Sequence, residues 1–127
     1  MSTLNIVAMS ACYSPDEHEG AGLALPFDQY TGALRHSVWE RWLRQDPVQM
    51  IEQSPCQGAL RGLKALYFDC GLQDEYGLFL GARMLHQKLE HLGIRHIHEE
   101  HHGTHRNINW RYAASLPVLT RALSLQD

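Results

Sequence analysis

Residues 65–112, ALYFDCGLQDEYGLFLGARMLHQKLEHLGIRHIHEEHHGTHRNINWRY, restrict the fold of this chain more than any other stretch. The apolar run that opens it reads as a strand, Ala65 to Cys70, followed by Gly71 and a loop bearing Asp74. Between Glu75 and Leu92 the apolar residues Leu78, Ala82, Leu85, Leu89 and Leu92 recur at the spacing of one helix face, and Gly93 supplies a C-terminal stop. Gly77 and Gly81 weaken that helix slightly or permit close approach to a sheet. Ile94 to Glu99 reads as a further strand, and a histidine-rich loop ending in Gly103-Thr104-His105 comes after it. Strand, helix and strand in this order predict a parallel pair joined by a crossover.

Upstream, Leu4 to Cys12 (LNIVAMSAC) is a nearly continuous apolar run and is expected to be a strand buried on both faces. With no helix ahead of it to cover the sheet, further sequence is expected upstream. Tyr13 to His36 holds Pro15, Gly20, Gly22, Pro26 and Gly32 without a sustained period, and reads as a lid-like surface excursion. A helix is expected from about Ser37, its N-cap, to Gln45, with Val38, Trp39, Trp42 and Leu43 on one face. A short turn from Pro47 through Ile51 and a connector from Ser54 to Lys64 follow. The last helix is expected from Trp110 to Leu123, capped by Asn109, interrupted by Pro117, and buried through some of Trp110, Ala113, Ala114, Leu116, Val118, Leu119 and Leu123. The sum is a single α/β domain over residues 1–127, with about three parallel strands, flanking helices and a long loop.

Composition narrows the function classes. A net charge of −3 with no Lys/Arg block argues against a nucleic-acid binder. No apolar run reaches the ~20 residues of a membrane helix, and no signal-peptide pattern opens the chain. Cys12, Cys56 and Cys70 are an odd number at wide spacing, which fits reduced thiols and a cytoplasmic location. The anomaly is histidine: there are nine in the chain, six of them from His91 to His105.

In open α/β sheets the chemistry gathers beyond the carboxyl ends of the strands. Asp74 after one strand and His105 after the next would meet at that rim, as the acid and base of a hydrolase triad. The order acid then histidine is that of α/β-hydrolases. His102 is the alternative base. Asp74 could also cap the helix that follows it. Neither residue is a nucleophile, and no Gly-x-Ser-x-Gly elbow occurs in the chain. Ser10 lies inside the expected first strand, and Ser2 and Ser14 lack flanking glycines.

The segments DCGLQDE, HEEHHGTH and NWRY, with the helix between the first two, resemble the C-terminal part of esterases of the α/β-hydrolase superfamily, the group that includes enterochelin-esterase-like and S-formylglutathione-hydrolase-like serine enzymes. NIVAMSACYSP is similar to the family strand that follows the nucleophile helix. The resemblance implies a partial α/β-hydrolase fold, carboxylic-ester hydrolysis, Asp74 as triad acid, His105 as base, a small-molecule ester as substrate and no cofactor. It also implies that the serine and the oxyanion hole lie upstream, so that the chain by itself is inactive.

Two other expectations concern association and metal. An unpaired edge on the Leu4 to Cys12 strand would favour a homo-oligomer or pairing with a missing N-terminal half. On an extended strand His96, His98 and Glu100 share one face while Glu99 and His101 share the other, so His96, His98, Glu100 and His102 form an alternative zinc set. The His-Glu-x-x-His spacing of zinc proteases is absent, and adventitious nickel or zinc binding is the simpler expectation. Cys70 is expected to be a small core residue.

Overall fold

A computed structural model describes residues 3–124. Ser2 therefore lies outside the described residues. The elements run α1 (Thr3–Tyr13), α2 (His36–Leu43), α3 (Pro47–Met50), α4 (Ser54–Arg61), β1 (Tyr67–Gly71), α5 (Leu78–His91), β2 (Ile97–His101), a 3-10 turn (Asn109–Arg111) and α6 (Tyr112–Ser124). They fall into two compact units, Met1–Met50 and Ile51–Asp127. Among the described residues no helix is long and apolar enough to cross a membrane.

In the first unit the expected strand from Leu4 to Cys12 is instead α1, and the sheet loses its third strand. A continuous apolar run carries no period that separates a strand from a helix. Here Ile6, Met9, Ser10 and Tyr13 fall on one helical face, while Leu4 and Val7 on the other are exposed. The apolar centre of this unit is Ala24, Val38 and Trp42, against which Ile6, Met9, Tyr13 and Trp39 pack. Trp42 donates its indole N–H to Ser14 Oγ at 2.9 Å, and that hydroxyl donates to the Ala24 carbonyl at 2.7 Å. The segment between α1 and α2 is irregular, held by two antiparallel bridges, Pro15–Leu23 and Phe27–Leu34. Ser37 lies inside α2, whose N-cap position is Arg35 with no side-chain cap bond.

The second unit carries the sheet. The expected connector from Ser54 to Lys64 contains helix α4, with Pro55 in its first turn, where a missing N–H costs nothing, and Gly62 at its C-cap. β1 and β2 pair in parallel, Tyr67 opposite Ile97 through to Gly71 opposite His101. These are the two strands read from the sequence, each displaced by one to three residues. Helix α5 ends as its sequence required. Gly93 takes φ +61°, its N–H bonds Glu90 O at 3.0 Å, and the Ile94 N–H bonds Leu89 O at 2.9 Å. The side chains of Ile94 and Leu89 meet in the core with Ile51, surrounded by Leu60, Leu66, Phe68, Leu85 and Leu92.

Asn109 is the first residue of the 3-10 turn rather than a cap for α6, which begins at Tyr112. The helix is half-buried along Ala114, Ser115, Val118 and Ala122. Trp110, Leu116, Leu119 and Leu123, expected in part to be buried, are exposed. Arg111 ties this end of the chain to the sheet: its Nε reaches Asp69 Oδ2 at 2.6 Å, and its Nη2 reaches the Tyr67 hydroxyl and Glu99.

Candidate active site

The site is built on two loops, one leaving β1 and one leaving β2. They are laced together by backbone bonds: Leu72 N–H to His101 O and Gln73 N–H to Gly103 O, both 2.9 Å. This approach demands glycine at two places. A Cβ on Gly71 would sit 2.2 Å from the carbonyl oxygen of Gly103, and one on Gly103 would sit 2.7 Å from His101 Nδ1. Asp74 and His105, 31 positions apart in sequence, are thereby brought into contact.

Asp74 Oδ2 lies 2.9 Å from His105 Nδ1. Its Oδ1 accepts from the backbone N–H groups of Tyr76 (2.8 Å) and Leu78 (3.4 Å), in the turn that leads into α5, whose N-cap position is Gly77 rather than Asp74. Burial pushes the Asp74 carboxyl upward, but the hydrogen bonds from His105, Tyr76 and Leu78 outweigh it and hold the group below the ordinary carboxylate range. A carboxylate only accepts, so Nδ1 of His105 carries the ring proton and Nε2 keeps its lone pair. The acid is shielded, with 3% of its side chain exposed, whereas His105 shows 43% of its side chain to solvent.

Two further contacts fix His105. Its backbone N–H donates to Glu75 Oε2 at 3.0 Å, and the Tyr76 ring meets the imidazole edge-on at 4.8 Å between centroids. The bond from the His105 backbone holds the Glu75 carboxyl low. Glu75, Tyr76, Gly71 and Gly103 carry no sequence signal for this pairing beyond lying within three residues of Asp74 or His105. His102, the alternative base, is exposed and is not the histidine on Asp74.

No protein-family model and no curated protein matches this chain. A buried carboxylate bonded to Nδ1 of a half-exposed imidazole leaves Nε2 as an oriented proton acceptor.

Ser10 is fully buried in α1 rather than on a strand, with a hydroxyl that has no hydrogen-bond partner, and Ser14 is committed to Ala24 and Trp42. Cys70 is buried, and that burial raises its thiol above the ordinary range, which suits a core residue.

The alternative metal set is not assembled as the strand pattern suggested. His96, His98 and Glu100 do share a face: Phe68 stacks on both imidazoles, at 5.7 and 4.9 Å, and Glu100 on the same side is held bidentately by Arg83. Glu100 is thus occupied by a guanidinium, and His102 is exposed beyond the strand. The histidine that joins His96 comes from helix α5 instead: His86 Nδ1 lies 2.7 Å from His96 Nε2. Burial, and then the neighbouring His86, hold His98 below the ordinary imidazole value.

Proposed function

We propose that this chain is the C-terminal part of a serine carboxylic-ester hydrolase with a partial α/β-hydrolase fold. It would supply the triad acid Asp74 and base His105 but not the nucleophile. The supporting observation is the 2.9 Å contact between buried Asp74 and half-exposed His105, at the carboxyl ends of two adjacent parallel strands. In that role His105 Nε2 takes the proton of a serine hydroxyl as it attacks the ester carbonyl, and then protonates the departing alkoxide. Asp74 fixes the tautomer and stabilises the imidazolium between those steps. Water repeats the sequence on the acyl-enzyme. The substrate class is a small-molecule ester, and no cofactor enters the scheme.

The test combines hydrolysis of p-nitrophenyl butyrate with labelling by a fluorophosphonate. The chain alone is expected to show neither a serine adduct nor hydrolysis above its His105→Ala variant. A longer protein that adds a Gly-x-Ser-x-Gly segment encoded upstream is expected to show both, with hydrolysis falling at least a hundredfold in His105→Ala and Asp74→Asn. Labelling of the short chain, or hydrolysis by the longer one that ignores both substitutions, would overturn the reading.

A second reading, a non-catalytic chain that works by association, is favoured by one observation. Tyr112, Leu116, Leu119 and Leu123 form a second stripe along α6, and all four are exposed. A second copy of the chain would cover it. Sedimentation at micromolar concentration is expected to give a dimer that a Leu116→Asp, Leu119→Asp double variant dissociates. A monodisperse wild-type monomer counts against it.

A further inference from the structure

At the opposite end of β2 from His105 lies a second constellation that the triad reading does not use. His96, just before the strand, has a side chain only 2% exposed. Its Nδ1 lies 2.8 Å from the Ile94 carbonyl oxygen, so Nδ1 carries the proton and Nε2 offers a lone pair. That lone pair faces His86 Nδ1 at 2.7 Å, and Glu90 Oε1 stands 3.9 Å from the same nitrogen. His86 and Glu90 are one turn apart on α5, hence on one face of the helix. A donor atom from each of the three residues lies within 4.8 Å of the other two.

A hydrogen bond between two neutral imidazoles would satisfy His86 and His96. It makes no use of the Glu90 carboxylate, which the helix spacing sets 3.9 Å from the same nitrogen. It also leaves the buried Nε2 of His98 without any hydrogen-bond partner, on a ring 4.9 Å from that of His86. The His96 Nδ1–H bond to a backbone carbonyl is the contact by which a metal-bound histidine fixes its tautomer and orientation. We propose that His86 Nδ1, His96 Nε2 and the Glu90 carboxylate bind a zinc ion or a similar first-row divalent cation, with His98 as the side chain available for a fourth position.

The adjustments needed are small. Nitrogens on a tetrahedral zinc stand about 3.3 Å apart, from bonds of about 2.0–2.1 Å, so the two imidazoles part by roughly half an ångström. His86 transfers its ring proton from Nδ1 to Nε2, a change of tautomer without a change of charge. Glu90, with 67% of its side chain exposed, closes in. Two histidines and one carboxylate fill three of the four tetrahedral positions, the fourth falling to His98, and the ion would pin α5 to the entry of β2. This inference is independent of the esterase reading: it uses neither Asp74 nor His105.

The test is calorimetric titration of zinc chloride into the full chain after chelator treatment and dialysis. One equivalent is expected. The dissociation constant should weaken at least tenfold in His86→Gln, less in Glu90→Gln, and not at all in a His102→Ala, His105→Ala double variant. In the wild-type chain, zinc should also shift the histidine ring NMR signals of His86 and His96 while leaving those of His102 and His105 in place, a readout that needs no variant. Unchanged affinity in His86→Gln, loss in the double variant, ring shifts confined to His102 and His105, or no binding at all would each overturn the proposal.

Discussion

Asp74 divides its carboxylate oxygens between two tasks, and that division makes the consequences of Asp74→Asn specific. The amide keeps Oδ1 for the Tyr76 and Leu78 N–H groups but presents an N–H toward His105, so the imidazole must reverse its tautomer and hold its proton on Nε2. A charge-assisted hydrogen bond is lost, at a cost of about 1–3 kcal/mol near neutral pH. The pH dependence follows from the direction of the Asp74 shift. A carboxyl held below its unfolded value stabilises the fold at every pH above that unfolded value, about 3.9, and the stabilisation vanishes as pH falls through the folded value. Urea denaturation of wild type and Asp74→Asn is therefore expected to show a gap at about pH 5 that shrinks as pH falls below about 4. A gap that widened below about pH 4 would contradict the assignment. Asp74 and His105 could be singled out in the sequence because each follows a strand-like run. Glu75, His86 and Glu90 could not, since what they do depends on which residue the fold sets opposite them.

The loop pair is the element that converts two distant residues into one site, and its glycines differ in kind. Gly77 has φ +70° and open space around it, so Gly77→Ala should cost only the left-handed backbone penalty, about 1–2 kcal/mol. Gly71 is extended, but a methyl there would collide with the Gly103 backbone, which no side-chain rotation relieves. Gly71→Ala is expected to cost more than about 2 kcal/mol in urea titrations and to remove the His105 Nδ1–H signal from the low-field NMR spectrum, whereas Gly77→Ala retains that signal. Equal behaviour of the two variants would show that the loops are not held as described.

Helix α5 was legible because its stripe and its Gly93 stop agree, and β1 and β2 because each is a short run bounded by turn residues. α1 was not legible, since an unbroken apolar run lacks the period on which such a reading depends. α4 was hidden by Pro55, Gly58 and Gly62: Pro55 falls in the first turn and Gly62 at the C-cap, where neither interrupts the helix, and Gly58 is carried in its interior. Arg111 shows a further limit. Its side chain, 14% exposed, stands among Asp69, Glu99 and Tyr67, and burial pushes the Tyr67 phenol up to about 12. Nothing local in NWRY announces that network. Arg111→Met is expected to leave two carboxylates facing each other and to cost about 2–4 kcal/mol, with part of the loss recovered at pH 4 as they protonate.

For the molecule as a whole, the deciding question is whether its two apolar centres melt together. Ala24, Val38 and Trp42 form one, and Ile51, Leu89 and Ile94 form the other, each inside its own unit. Leu89 is fully buried on the α5 face that meets the Gly93 stop, so Leu89→Ala removes three carbons from a packed site and is expected to cost about 2–5 kcal/mol. If each unit is its own cooperative body, the loss stays local. Hydrogen exchange should then speed up in β1, β2 and α5, while amides of α1 and α2 keep their wild-type protection. Trp42→Ala, which opens the other centre and strips the Ser14 hydroxyl of its donor, should give the reverse pattern. Matching acceleration across both units in either variant would mean one cooperative fold, in which a substitution at Trp42 reaches the Asp74–His105 contact as strongly as one at Leu89.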